Sequence, residues 1–312
     1  MAFEARVIAA HGRHLLVRDA DGTEHEARPF GRRLQAVCGD RVRCEADAAH
    51  GEVHAVEILP RRSVLERANT RGGAEPVVAN ITLLVTVLAP EPRPDPFIID
   101  RYLCAASSAG LAAFVVVNKC ELPAAAELSP QLAVWRDAGY GTLACSSVTG
   151  EGIDALAAAL RGHDAVFVGQ SGVGKSSLIA RLVPQAAIAV GALDRDAEGR
   201  HTTTASKLYD LPGDGPDRGH LLDSPGVRDF APAIATLELR SLGFPEVEQL
   251  AGGCRFIDCR HLREPDCAVR TAAETGGFDP RRYESYRRLR RLYEDLQAAA
   301  GPGKRERERE RR

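Results

Sequence analysis

Two stretches carry residues whose types and spacing can do chemistry. Gly169 to Ser176 reads GQSGVGKS and satisfies the G-x-x-x-x-G-K-S pattern of a phosphate-binding loop. Gly172 and Gly174 let the backbone turn tightly and expose its N–H groups. The N–H groups from Gly169, Gln170, Ser171 and Val173 onward to Ser176 and Ser177 then form an anion site at a helix start. Lys175 reaches the β- and γ-phosphates of a nucleotide, and the Ser176 hydroxyl can ligate Mg²⁺. The second stretch is Cys254-x4-Cys259-x-His261-x5-Cys267. Three thiolates and one imidazole make a closed tetrahedral shell suited to Zn²⁺, with no position left open for catalysis. The expected role is structural.

These residues need elements to position them. A short apolar run, 165–168, precedes the phosphate loop, and a helix over 176–182 is expected after it. Upstream, apolar β-branched runs at 81–87 and 111–117, a strand at 141–145 and helices at 97–107 and 153–160 alternate. Trp135 falls in a further helix. Such alternation predicts a mostly parallel three-layer α/β domain with its ligand site at the C-terminal edge of the strands. Four short apolar segments at 5–10, 14–17, 37–42 and 53–58, separated by turn residues, predict a small closed all-β barrel of about five strands. Arg28 to Arg33 carries three arginines beside Phe30. That rim suits either RNA phosphate and base contact or an ordinary solvated face. Near the C-terminus, Tyr283, Tyr286, Leu289, Leu292, Tyr293 and Leu296 recur at helical spacing. Arg281, Arg282, Arg287, Arg288, Arg290 and Arg291 are expected on the rest of that helix, as a solvated face or as RNA-phosphate contacts. The expected divisions are a barrel over 1–62, a linker over 63–75, the α/β domain over 76–240, a mainly helical zinc-binding domain over 241–300 and a disordered charged tail over 301–312.

Composition narrows the class. The chain has 312 residues, is 44% hydrophobic and carries a formal net charge of -2. No apolar run reaches the length of a membrane span. The start lacks the basic region and apolar core of a signal peptide, so a cytoplasmic protein is expected. In that compartment the eight cysteines, five of them scattered at 38, 44, 104, 120 and 145, are expected as thiols rather than disulfides.

Each strand end of the α/β domain carries a polar motif. Asn118-Lys119-Cys120-Glu121 follows one strand, Ser146-Ser147 another, and Asp223-Ser224-Pro225-Gly226 a third. Arg200-His201-Thr202-Thr203-Thr204 lies between the phosphate loop and Asp223. Together they resemble the GTPases. Asn118, Lys119 and Glu121 match the guanine-recognition motif, and Ser146 and Ser147 the second base-contacting loop. Thr203 or a neighbour matches the first switch residue, which meets Mg²⁺ and the γ-phosphate. Asp223 and Gly226 match the second switch, with Asp223 holding Mg²⁺ through water. Glu121 stands where the family pattern has Asp, an extra methylene that moves the carboxylate by about 1.5 Å. Val227 stands where many GTPases have a water-orienting Gln, which predicts slow intrinsic hydrolysis. His201 is the nearest polar candidate for that water, or a solvent-exposed loop histidine.

The guanine motifs precede the phosphate loop, the reverse of the usual order, so the chain is similar to circularly permuted GTPases. Its whole layout, including Ile99-Asp100-Arg101-Tyr102-Leu103 and the cysteine–histidine cluster, resembles the small ribosomal subunit biogenesis GTPase family, RsgA or YjeQ. That resemblance implies an oligonucleotide-binding (OB) barrel, a permuted GTPase core and a C-terminal zinc domain. It implies GTP or GDP, Mg²⁺ and one structural Zn²⁺ as ligands. It implies a monomer without a membrane partner that acts late in maturation of the 30S subunit, meets 16S rRNA and is activated by the particle. It also implies that His201 takes part in hydrolysis. The chain departs from some relatives in that their longer basic leader is expected to be short or absent here. Two other readings stay open: a permuted GTPase serving another RNA or the large subunit, and a nucleotide-controlled RNA-binding switch with negligible turnover.

Overall fold

The computed structural model describes residues 2–31, 34–47, 52–68, 74–184, 206–213, 215, 218–224, 233, 237 and 240–300. Five strands, β1 (Ala2–His11), β2 (His14–Asp19), β3 (Glu24–Pro29), β4 (Arg41–Asp47) and β5 (Glu52–Ile58), pair in the order β1-β2-β3-β5-β4, and β4 returns to β1. The pairings are antiparallel except for β3 with β5. This is the closed five-stranded Greek-key barrel of the OB fold. Alternate residues point inward, and Val7, Leu15, Val17, Ala27, Val42, Cys44 and Ala55 fill the core.

The barrel departs from the sequence reading in two places. The expected strand at 37–42 begins only at Arg41. Before it, Val37 to Asp40 is a turn closed by the buried Asp40, which accepts from Val37 N at 2.8 Å and from Arg61 Nε and Nη2 at 2.8 Å each. Strand β3 (EHEARP) has too few apolar residues to signal itself, because only Ala27 and Pro29 are buried there.

The stretch expected as a linker is a two-stranded antiparallel ribbon, β6 (Val64–Ala68) with β7 (Ala74–Ala79). Leu65, Val77 and Val78 pack with Ile8 of the barrel and with Leu84 and Tyr102 of the next domain. Glu66, Arg67 and Glu75 make the stretch read as a polar linker, while Leu65, Val77 and Val78 are buried.

The central sheet runs β10-β9-β8-β11-β13-β12, built from β8 (Leu83–Leu88), β9 (Ala112–Val117), β10 (Gly141–Ala144), β11 (Asp164–Val168), β12 (Ser206–Asp210) and β13 (His220–Asp223). All are parallel except β12, which is antiparallel to β13. Strand β8 is buried along its whole length, as a parallel strand covered on both faces must be. Its Leu83, Val85 and Val87 face α3 (Ile153–Leu160) and α4 (Lys175–Leu182). Its Leu84 and Leu88 face the side of α1 (Pro96–Ser108) and α2 (Ser129–Asp137). Helix α1 starts where the sequence puts it, with Asp95 Oδ1 accepting from Phe97 N at 2.9 Å and Pro96 in the first turn.

The barrel and the central sheet are one eleven-stranded sheet. Strand β12 pairs with β1, with Ala9 opposite Lys207 and Ala10 opposite Ser206. Arg6 reaches Asp164 at 2.8 Å and Arg18 reaches Asp210 at 3.0 Å across the same junction.

The C-terminal region is helical: α5 (Pro245–Leu250), α6 (Ala268–Thr275) and α7 (Pro280–Ala300). Phe244, Val247, Val269, Phe278, Tyr286 and Leu289 form its core, into which Cys104 and Ala105 of α1 also pack. The expectation that the arginines of α7 line a solvated or RNA-facing surface is corrected for two of them. Arg282 is fully buried and Arg290 nearly so. Each has acidic partners: Arg282 bonds Asp100 and Glu246, and Arg290 Nε lies 3.3 Å from Glu294. Helical spacing alone placed Arg282 outside the apolar stripe, and only the tertiary partners bring it in.

Candidate functional site

Strand β11 runs directly into the phosphate loop, and α4 leaves it at Lys175. The loop needs glycine where neighbouring backbone crowds it. At Gly169, with φ 143°, a Cβ would meet Val87 O at 2.1 Å; at Gly174, with φ 91°, it would meet Asn118 Nδ2 at 2.3 Å. Lys175 is buried, and its Nζ donates to Gly169 O at 2.6 Å and Gln170 O at 2.7 Å. The lysine is therefore held over the loop that phosphates would enter. Ser171, Gly172, Ser176 and Ser177 are exposed at the loop crest and the first turn of α4. The Val173 side chain is core, and its carbonyl serves as an acceptor.

Asn118 ties three loops together. Its Nδ2 donates to Val173 O at 2.9 Å and approaches Ser147 Oγ at 3.5 Å, while its Oδ1 accepts from Ser147 N at 3.0 Å. Lys119, at φ 61°, donates from Nζ to Gly172 O at 2.8 Å and to Glu91 O at 2.7 Å. Ser146 Oγ accepts from Val148 N at 3.2 Å and Thr149 N at 2.9 Å and so shapes the turn after β10. Residues separated by tens of positions in the chain are thus bonded around one cleft. Glu121 is exposed beside it, and Asp223 ends β13, half-buried. His201, Thr203 and Gly226, together with Arg195, Arg200 and Val227, lie outside the described residues.

The sequence reading missed the segment after β8. Glu91 and Pro92 touch the site, Glu91 through its carbonyl and Pro92 at 3.6 Å from where a Gly172 Cβ would stand. The proline-rich run there read only as a break between elements.

The second cluster also assembles. One ligand atom from each of Cys254, Cys259, His261 and Cys267 lies within 4.8 Å of the others. His261 Nδ1 is 3.4 Å from both Cys254 Sγ and Cys267 Sγ, and those sulfurs are 3.9 Å apart. Tetrahedral zinc with bonds of about 2.3 Å to sulfur and about 2.0 Å to nitrogen requires S–S edges of about 3.8 Å. The donor set and its spacing therefore fit. Burial pushes the Cys259 thiol up to about 12, and burial also lowers the His261 imidazole, so it is a neutral ligand at pH 7. Three adjacent thiolates at neutral pH require a cation among them. Helix α7 holds the ligand loop from beneath: Tyr283 Oη donates to His261 O at 2.8 Å and Tyr286 Oη to Arg260 O at 3.0 Å. Burial would raise the Glu264 carboxyl, but its own N–H and those of Arg263, Leu262 and Arg260 hold it down to about 2.

On the barrel, a groove of about 620 Å³ lies over β2 and β3, lined by His11, His14, Glu26, Arg28, Glu52 and Val53 among others. Phe30 is 67% exposed, with His54 edge-on at 6.1 Å. This strand pair is the face that OB barrels use for oligonucleotides.

The comparisons with known proteins agree with this geometry. A family model described as RsgA GTPase matches residues 58–232. The chain belongs to the RsgA GTPase family. It is a GTPase. A small ribosomal subunit biogenesis GTPase RsgA from Chromohalobacter salexigens is 45% identical over 256 residues, covering 81% of this chain and 74% of the relative. Its counterpart from Pseudomonas putida is 42% identical over 292 residues, covering 91% and 83%. Among solved structures, YjeQ from Thermotoga maritima superimposes with a TM-score of 0.72 at 25% identity, covering 94% of this chain and 99% of that one. YloQ, described as a circularly permuted GTPase, shares the fold with a TM-score of 0.70 over 95% and 96% of the two chains. The family accounts for why Asn118 and Ser147 come before the phosphate loop in the chain yet meet it in space: permutation moves the chain ends and leaves the contacts. Among the described residues no helix is long and apolar enough to cross a membrane.

Proposed function

We propose that this GTPase acts in maturation of the small ribosomal subunit and that the subunit switches its hydrolysis on. The observation that carries the reading is the cleft in which Asn118 and Lys119 are bonded to the phosphate loop and Ser147 to Asn118, in a chain whose relatives are named for small-subunit biogenesis. The loop N–H groups and the start of α4 bind the phosphates, and Lys175 leaves the loop carbonyls for the β- and γ-oxygens. Ser176, Thr203 and Asp223 would hold Mg²⁺, which would supply positive charge against the phosphates. Glu121 accepts from the guanine N1–H and 2-amino groups, with Asn118, Lys119, Ser146 and Ser147 shaping the base pocket. Gly226 N–H meets the γ-phosphate.

A water then attacks the γ-phosphorus, the bond to the β–γ bridging oxygen breaks, and GDP and phosphate leave. The aliphatic Val227 cannot orient that water, so His201 or a group from the particle does so. Zn²⁺ in the Cys254, Cys259, His261, Cys267 shell is structural. The barrel groove with Phe30, and the exposed arginines of α7, meet 16S rRNA.

The test is steady-state GTP hydrolysis alone and with purified 30S or 50S subunits, with ATP as control. Strong stimulation by 30S alone supports the reading. A flat response to both subunits makes the chain a nucleotide-controlled RNA-binding switch, and stimulation by 50S alone moves it to the large subunit.

A further inference from the structure

Helix α1 belongs to two cores. Ile99 and Leu103 pack on the central sheet, while Cys104 and Ala105 lie in the core of the C-terminal domain. Between these faces Asp100, which is 1% exposed, accepts three hydrogen bonds: from Trp135 Nε1 at 2.8 Å, Arg282 Nη1 at 2.7 Å and Arg281 Nη1 at 2.8 Å. Arg282 turns its other edge to Glu246, with Nη2 to Oε2 at 2.8 Å, and lies over the rings of Phe244 and Tyr140 at 4.9 and 5.5 Å. Arg281 lies over Trp135 at 5.2 Å. Two carboxylates and two guanidinium groups balance in charge at the boundary between the domains.

A buried ion-pair cluster gains little net stability over apolar packing of the same volume. What it supplies is direction, because planar guanidinium forks accept only one arrangement of their partners. Contacts run on from it both ways. Lys119 Nζ bonds both Gly172 O of the phosphate loop and Glu91 O, five residues before α1 starts. One residue and one turn beyond Arg282, Tyr283 and Tyr286 hold the metal-ligand loop.

We propose that Asp100 is a positioning residue: through Arg282 it holds the C-terminal domain at one angle to the nucleotide cleft, and activation by the small subunit needs that angle. The second half rests on the function proposed above. Asp100 touches no nucleotide-binding group, so its loss leaves the cleft intact and removes the register between the domains.

The test uses full-length, metal-loaded protein carrying dyes at the exposed Glu127 and Glu274, introduced as non-canonical amino acids so that the cysteines stay free. Wild type is compared with Asp100→Asn and with the apolar triple variant Asp100→Leu, Arg282→Met, Glu246→Leu. Wild type should give one narrow distance distribution. Both variants should give a broad one, with GDP affinity and unstimulated turnover within about twofold and 30S stimulation reduced by about tenfold or more. A variant that melts with wild type, keeps the narrow distribution and keeps full stimulation overturns the proposal, because the cluster is then only structural. If the triple variant does not fold, Asp100→Asn decides by the same readouts. Wild type that is narrow yet unresponsive to 30S refutes the small-subunit reading, and the width of the distribution alone then decides the joint.

Discussion

Lys175 and Asn118 have different work in the cleft, and substitutions should separate them. Lys175 bonds the carbonyls of its own loop, at Gly169 and Gln170. Lys175→Ala should weaken GDP binding by roughly 10- to 100-fold, the worth of a charge-assisted contact. A fluorescent-GDP titration checks it, and unchanged affinity refutes the phosphate-site assignment. Asn118 joins three loops. Asn118→Ala should both weaken GDP binding and speed amide exchange at Ser147 and Val173 in the nucleotide-free protein. Gly174→Ala combines a positive φ with a Cβ 2.3 Å from Asn118 Nδ2, so it should abolish nucleotide binding by displacing that same residue.

At the scale of elements, the metal loop and the barrel junction depend on different charges. The ligand loop from Cys254 to Cys267 has a 3-10 turn before it and α6 after it, with Tyr283, Tyr286 and Glu294 of α7 bonded to it from beneath. Structural zinc in small peptides contributes on the order of 10–16 kcal/mol. Chelation should therefore raise amide exchange over 254–267 and change the fluorescence of those tyrosines while the central sheet stays protected. Elemental analysis should find one zinc per chain. At the junction, burial would raise the Asp164 carboxyl, but His220 and Arg6 together hold it below its ordinary value of 3.8. A depressed carboxyl contributes stability that is complete above 3.8 and is lost as pH falls below it. Asp164→Asn should flatten the acid limb of the plot of melting temperature against pH and lower the plateau near neutrality.

Across the whole molecule, the pairing of β1 with β12 makes the barrel a continuation of the GTPase sheet. Strand β12 begins three residues after Thr203 and pairs with β13, which ends at Asp223. The barrel thus rests on the strand between the stretches proposed above as the two switches. Removing residues 1–62 would leave β12 as a bare sheet edge. The shortened chain should melt lower than the full chain and self-associate on size-exclusion chromatography; a monomer of unchanged melting temperature would show that the junction carries no load.

The two clusters, Asn118, Lys119 and Ser147 about the loop from Gly169 to Ser176 and Cys254, Cys259, His261 with Cys267, were legible in the sequence as candidates because each is built of local patterns: fixed residue types at fixed spacing, on runs whose periodicity names the strand or helix beneath. The strands β8, β9 and β11 were legible for the same reason, since burial on both faces demands an unbroken apolar run. Other features depend on partners far away in the chain. Strand β3 is polar by composition and exists because β2 and β5 flank it. The ribbon of β6 and β7 looks like a linker until Leu65 and Val78 find Ile8 and Tyr102. Arg282 looks like a surface charge until Asp100, 182 positions away, and Glu246 neutralise it. Spacing along the chain determined which chemistry this protein carries; the tertiary structure alone decided which charges are buried and how the three parts are joined, because those energies arise between residues that no local pattern relates.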